Sequence, residues 1–380
     1  MGSLTPPAAP PRIEVVVVQP TPFCNIDCAY CYLPDRSNTA RISQETIAVL
    51  FGKVFDSGWA AEEVTAIWHA GEPLVMPVAF YREAFATIAR LCPPGIEMSH
   101  SIQTNGMLIT DEYCALFRDW RVKLGVSLDG PRAIHDAKRR TRAGQGTFDR
   151  TMAGIRKLQA NDVPFHVISV LGEASLDQPD EMHDFYVDAG IAHVCFNVEE
   201  SEGSHASALF DAGDLDARFR RFLRQFWKRA RAEGRIEFIR EVDGMIRLVF
   251  RPDELAIHNH QVEPLGMFNV DWAGRVSSFS PELLGLKNAA YNDYIIGDIH
   301  TDTLEQIRAS ASLARMSADI AEGVAACARD CGYYSVCGGG APVNKLTENG
   351  SFASTRTKYC SLTQIAAADL ILESLDQLAS

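Results

Sequence analysis

Between Glu14 and Val198 the sequence switches repeatedly from short apolar, β-branched runs to longer stretches of helical period. Glu14 to Gln19, Val64 to Trp68, Met98 to Gln103, Lys123 to Leu128, Phe165 to Leu171 and His193 to Val198 are too short for helices and read as strands. Helices are expected from the Ser43 N-cap to Asp56, from about Ala79 to Leu91, from near Thr110, over Phe148 to Ala160, and over Pro179 to Ala189. Alternation of this kind requires parallel pairing with right-handed crossovers. It predicts an α/β fold: a partial (β/α)6 TIM-like barrel, open where the last two strands of a complete barrel would lie.

Past residue 200 the rhythm changes. Asp214 to Glu233 reads as a long, arginine-rich helix whose charges form a solvated face. After about residue 260 the pattern turns irregular, with a short hairpin near Trp272 to Phe279, a cysteine-rich segment, and a closing amphipathic helix from Leu362 to Leu378. The expected organisation is a flexible N-terminus over 1–12, a barrel over 13–235, and a bridging region with a smaller cysteine-rich domain over 236–380.

The chain carries a formal net charge of −13, which argues against nucleic acid and anionic membrane surfaces as partners. No apolar run approaches the roughly 18 residues that span a bilayer, and Met1 to Arg12 lacks the regions of a signal peptide. A cytoplasmic location is therefore expected, where thiols stay reduced, so the ten cysteines are not read as disulfides.

Their spacing points elsewhere. Cys24, Cys28 and Cys31 form C-x3-C-x2-C in the loop after the first strand. Three thiolates can hold three irons of a 4Fe–4S cube and leave the fourth open. The competing reading is a zinc site, which normally takes four ligands in paired C-x2-C form. Cys327, Cys331 and Cys337, followed by the distant Cys360, could fully ligate a second cluster or a zinc ion, with Gly338 to Gly340 letting the backbone fold around it. Cys92, Cys114 and Cys195 stand alone and read as small core residues.

The first cysteine loop, with Tyr30 just before its third cysteine, resembles the signature of the radical S-adenosylmethionine (SAM) superfamily. Ala70-Gly71-Glu72-Pro73 resembles that family's GGEP motif, with alanine for the first glycine. Gln103-Thr104-Asn105-Gly106 and Ser127-Leu128-Asp129-Gly130 follow the third and fourth strands as in the family. The resemblance implies an open-iron 4Fe–4S cluster that binds SAM and yields a 5′-deoxyadenosyl radical. It places Tyr30, Gly71, Glu72, Pro73 and Asn105 around the cofactor and gives the methionine amino group to the backbone and glutamate of the second motif. Ser127 and Arg139 would hold the methionine carboxylate, which suits a guanidinium fork, and Ser169 and Asn197 would lie near ribose or adenine. These motifs fall at C-terminal ends of expected strands, the face where barrels keep their chemistry.

Cys327, Cys331, Cys337 and Cys360 lie in a segment that resembles the SPASM extension of peptide-modifying radical enzymes. The hairpin Gly274 to Ser280 lacks the further cysteines of a full extension, so one auxiliary 4Fe–4S cluster is expected. A narrower resemblance rests on Gln19-Pro20-Thr21, Trp68 to Leu74, Phe196 to Glu200, Phe279 to Gly285 and Cys337 to Lys345. These segments look like the cyclophane-forming peptide maturases of the GrrM/OscB type. That implies a ribosomal precursor peptide as substrate, a reducing donor such as flavodoxin or ferredoxin, and a carbon–carbon crosslink between an aromatic ring and a β-carbon. In the implied reaction the radical removes a β-hydrogen, the carbon radical adds to the ring, the auxiliary cluster takes one electron, and a base takes the ring proton. Glu282 and Asp271 are candidates for that base, with Glu199 and Glu200 beside them. The alternatives are sulfatase-type oxidation of cysteine or serine to formylglycine, thioether formation, and an iron–sulfur scaffold without turnover.

Overall fold

The computed structural model describes residues 10–201, 205–250 and 258–379, so the first nine residues of the expected lead-in lie outside the described residues. All six expected strands form. β1 (Ile13–Val18), β2 (Ala60–Trp68), β3 (Glu97–Thr104), β4 (Lys123–Ser127), β5 (Phe165–Leu171) and β6 (His193–Val198) pair in chain order, each parallel to the next. β2 starts four residues earlier than the sequence suggests because the exposed Glu62 and Glu63 interrupt its apolar pattern. Between the strands lie the helices Gln44–Asp56, Val78–Leu91, Asp111–Asp119, Phe148–Ala160 and Pro179–Asp188. Ser43 caps the first as expected, its hydroxyl accepting from the Thr46 amide. Thr110 does the same for the third through Tyr113.

The sheet continues beyond β6. β7 (Phe238–Ile239) pairs parallel with β6, and β8 (Met267–Val270) pairs parallel with β1, with Val15 opposite Met267. β9 (Arg275–Ser278) and β10 (Gly297–Asp298) follow antiparallel, giving one ten-stranded sheet in the order β10-β9-β8-β1-β2-β3-β4-β5-β6-β7. The sheet thus runs across residue 235 at both of its ends while staying open. The hairpin begins at Met267 rather than Trp272. All four residues of β8 are buried, so the strand has no alternation to read.

Two features depart from the sequence expectation. The helix Leu215–Glu233, stopped by Gly234 at φ +65°, does not carry a merely solvated arginine face. Arg218 and Arg221 pair with Asp177, Arg220 with Asp216 and Asp369, and Arg224 with Glu373, so the arginines clamp neighbouring elements, among them the closing helix Ala366–Ala379. The region expected to be irregular contains a long helix, Ala311–Asp330, with Cys327 in its last turn and Cys331 as its C-cap.

Near the start of β1, His258 is clasped through both ring nitrogens by Glu14 and Glu263, at 2.6 and 3.1 Å. An imidazole donating from both nitrogens is an ion-pair staple with no lone pair for a metal. Among the described residues no helix is long and apolar enough to cross a membrane.

Phe268 is fully buried in β8. Phe268→Ala should cost about 3–5 kcal/mol and lower the urea midpoint of the whole chain in a single circular-dichroism transition. A separate early transition would instead show that the C-terminal strands fold apart from the barrel.

Candidate active site at the strand ends

Parallel strands place their C-terminal loops on one face, and a cavity of about 350 Å³ opens there. Cys24, Cys28 and Cys31 line one end, with Ala70, Gly71, Glu72, Asn105, Ser127, Arg139 and Asn197 around it. Backbone and carboxylate contacts hold the cysteine loop. Phe23 accepts at its carbonyl from the Glu72 amide at 2.8 Å. Gly71 sits at φ +81°, and a Cβ there would lie 2.3 Å from the Thr21 carbonyl oxygen. Only glycine allows the motif and the cysteine loop to approach so closely.

Glu72 is buried, and its carboxylate accepts from the Leu74 amide, the Thr104 hydroxyl and the Asn105 amide at 2.9, 2.6 and 2.8 Å. It therefore fastens its own turn to the end of β3. Asn105 carries the tie onward, donating to the Asn25 side chain at 2.7 Å. A second buried carboxylate does the same on the far side. Asp129 accepts from the Tyr30 hydroxyl at 2.6 Å, Arg139 Nε at 3.0 Å and the Val170 amide at 3.0 Å. Arg139 then reaches toward Cys28 Sγ, 3.9 Å from Nη1, and lies over the Tyr30 ring. Gln103 donates to the Ser127 hydroxyl at 3.0 Å across Gly125, where a Cβ would strike the Gln103 amide. Arg240 donates to the Asn197 side-chain oxygen at 2.6 Å.

Burial pushes the Cys24 thiol up to about 12, with the nearby Glu72 adding to it, and pushes Cys28 up to about 11 against the lowering by Arg139. These thiols need a bound metal to release their protons. His69, also in the cavity, is held neutral by burial, down to about 4. Its Nδ1 is buried with no hydrogen-bond partner among the described residues.

Three expected site residues are not where the resemblance puts them. Ser169 does not line the cavity: strand alternation turns Ile168 and Val170 inward and Ser169 outward, beside the Tyr186 hydroxyl. Pro73 opens the 3-10 turn Pro73–Val75 and accepts from the Tyr81 hydroxyl behind the site, so it shapes the motif without touching the cavity. Asp271 is no candidate base. Its carboxylate accepts from the Ala273 and Arg275 amides and from the Arg275 side chain, which folds the β8–β9 turn outside the cavity.

The other acids do meet in the cavity that the cysteines line. Glu199 pairs with Lys138 at 2.9 Å and His205 at 3.1 Å. Glu200 accepts from Asn344, and Glu282 from Ser280 and Tyr32. Burial pushes Glu200 up to about 8, with the charges of Glu348 and Glu282 adding to it, and burial also raises Glu282. Tyr32, Tyr359 and Asn344 also line the cavity.

Cys327, Cys331, Cys337 and Cys360 line a second cavity of about 180 Å³, together with Ala341, Lys345 and Arg356. Cys360 is raised to about 11 by burial, with the charges of Cys337, Cys331 and Cys327 adding to it. Burial is also the main cause of the rise at Cys337. Lys345 donates to Cys327 Sγ at 3.3 Å from the helix Pro342–Asn349.

Residues 18–186 match the Radical SAM superfamily. An uncharacterized protein of Synechocystis sp., sll1766, is 37% identical over 368 residues, covering 96% of this chain and 92% of its own length. The chain belongs to the radical SAM superfamily. A serine-type anaerobic sulfatase-maturating enzyme of Klebsiella aerogenes is 32% identical over 233 residues, 60% of this chain and 57% of that protein. Among solved structures, anSMEcpe with bound AdoMet and Cp18Cys peptide superposes with a TM-score of 0.76 at 18% identity, covering 96% of this chain and 98% of that one. Streptococcus suis SuiB bound to precursor peptide SuiA gives 0.64 at 14% identity, covering 92% and 76%. At these identities the two structures establish a shared fold.

Radical SAM enzymes imply a 4Fe–4S cluster and SAM, and the first cavity fits both. The three cysteine sulfurs do not all lie within 4.8 Å of one another, as the ligands of a single ion would. Gln103, Asn105, Ser127, Arg139 and Asn197 line the same cavity beside the three cysteines and offer polar groups to a ligand there. His69, Gln103, Arg240, Glu200 and Asn344 belong to this radical SAM site without having been singled out as cofactor contacts. Arg240 and Asn344 come from elements far along the chain; Asn344 falls in the Cys337 to Lys345 segment, whereas no local pattern marks Arg240.

Gly71→Ala should drive the cysteine loop off the second motif, lowering iron bound after reconstitution and abolishing SAM binding. Both are read by iron assay and equilibrium dialysis.

Proposed function

We propose that this radical SAM enzyme modifies a ribosomal precursor peptide by joining an aromatic ring carbon to a β-carbon. The observation that carries the reading is the acid pair Glu200 and Glu282, which lines the same cavity as the three cysteines and whose ionisation burial opposes. Cys24, Cys28 and Cys31 would hold the open-iron cluster. The Ala70–Gly71 backbone, Ser127, Arg139 and Asn197 would hold SAM, with Tyr30 and Asn105 shaping the cavity around it. Bound there, a reduced cluster and SAM supply a 5′-deoxyadenosyl radical, and an auxiliary cluster at Cys327, Cys331, Cys337 and Cys360 would take up one electron. The chain's own part is to place the peptide between SAM and the acid pair and to receive the ring proton.

Glu200, oriented by Asn344, is the proposed acceptor, and Glu282 shares its environment. A carboxyl near 8 is mostly protonated at pH 7 and becomes a base as the pH rises. Crosslink formation should therefore increase through about pH 8 and level off above it. Glu200→Gln should lose that rise and about 10²-fold or more in crosslink rate while still producing 5′-deoxyadenosine.

A peptide substrate is supported by SuiB bound to precursor peptide SuiA and by anSMEcpe bound to a peptide. The likeness to sulfatase-maturating enzymes favours a second reading, oxidation of serine or cysteine to formylglycine. Serine oxidation and crosslinking both remove two hydrogens, so mass alone does not separate them. Anaerobic reaction with a neighbouring precursor peptide should give a product that resists fragmentation between an aromatic residue and its partner and does not react with hydrazide. Hydrazide labelling of an unlinked product would favour the aldehyde. A reducing donor such as flavodoxin or ferredoxin belongs to either reading.

A further inference from the structure

The helix Pro342–Asn349 touches both cavities with adjacent residues. Asn344 donates to Glu200 in the first, Lys345 donates to Cys327 Sγ in the second, and Ala341 lines both. Lys345 is only 3% exposed. Removing an ammonium from water is costly unless an acceptor, best an anionic one, replaces the lost hydration. Lys345 meets the sulfur of Cys327, a poor acceptor as a thiol and a good one as a metal-bound thiolate. Its position is thus explained by a metal-bound thiolate at Cys327, as an iron–sulfur group would provide.

We propose that Lys345 is a positioning residue that raises the electron affinity of the group held by the four C-terminal cysteines. The inference rests on reading the second cavity as a 4Fe–4S site. Hydrogen bonds to cluster sulfurs, like nearby positive charge, stabilise the more negative, reduced state. Lys345 supplies such a bond to Cys327 Sγ from the helix whose preceding residue, Asn344, lines the first cavity. The step it serves is one-electron and one-proton. A crosslinked ring radical that regains aromaticity would give its proton to the Glu200–Glu282 pair, and a 4Fe–4S group held by Cys327, Cys331, Cys337 and Cys360 would supply the one-electron acceptor. Because Asn344 and Lys345 are neighbours on one helix, the proton acceptor and the electron acceptor are held in register by a single turn of backbone.

The test is an EPR-monitored redox titration of the reconstituted full chain, wild type beside Lys345→Met, Lys345→Gln and Lys345→Arg, with iron and sulfide counted on each sample. Wild type should hold about eight irons, two 4Fe–4S groups. Lys345→Met should lower the auxiliary midpoint by the equivalent of about tenfold in the reduced-to-oxidised ratio, about 59 mV for one electron, and leave the SAM-binding cluster unchanged. Lys345→Arg should restore most of the difference. If Lys345→Met does not hold its iron, Lys345→Gln, which keeps an N–H donor without the charge, should hold it with a midpoint below wild type. Full iron with an unchanged auxiliary midpoint in the variants overturns the role of Lys345. About four irons in wild type overturns the two-cluster reading itself.

Discussion

The site depends on a buried ion pair. Asp129 and Arg139 are both withdrawn from water, and their contact is one part of a three-way junction. Tyr30 brings the cysteine loop to it, Arg139 brings the helix after β4, and the Val170 amide brings β5. Breaking a buried pair by removing one partner typically costs about 3–5 kcal/mol, because the other charge is stranded. Here the loss would also free the loop that carries all three N-terminal cysteines. Glu72 plays the matching part on the opposite side through Leu74, Thr104 and Asn105. The cysteine loop has little regular structure of its own, and it is held open and steady between these two carboxylates.

The same arrangement explains how a soft ligand site survives in a carboxylate-rich cavity. Negative charge from Glu72 raises Cys24, whereas Arg139 works in the opposite sense at Cys28. Burial outweighs both, so the thiols stay protonated until metal arrives. The same loss of water raises the acids Glu200 and Glu282 that line the cavity with them. Burial thereby acts in one direction on thiols and proton acceptors of a single site.

What could be read in the sequence was whatever is local. The six strands, the Ser43 cap, the first cysteine group and the strand-end motifs each sit within a few residues, and each forms, with only the start of β2 displaced. Errors arose where meaning depends on a partner across the fold. Ser169 failed by one position of strand alternation, since a carried-over role fixes the strand but not which side faces inward. Asp271 looked like a free carboxylate because the amides it caps are visible only once the hairpin is folded. Cys327 and Cys331 hid the end of a long helix, because their spacing was read for metal rather than for period. Arg240 and Asn344 reach their places through contacts 43 and 144 residues apart, and Lys345 meets Cys327 18 residues back, none of which a local pattern of residue types announces.

The pairing of β1 with β8 has a consequence in time. β1 is made roughly 250 residues before β8, and among the described residues its edge away from β2 is paired by Met267–Val270. At about 5–20 residues per second, that edge waits on the order of tens of seconds for its partner. Throughout that interval the nascent barrel presents an apolar, unpaired strand beside a loop of three free thiols, a combination open both to edge-to-edge association and to oxidation. Chaperone cover and late delivery of iron and sulfide would suit such a chain better than early loading, so assembly of this enzyme is paced by its last sheet strands rather than by its first cysteines.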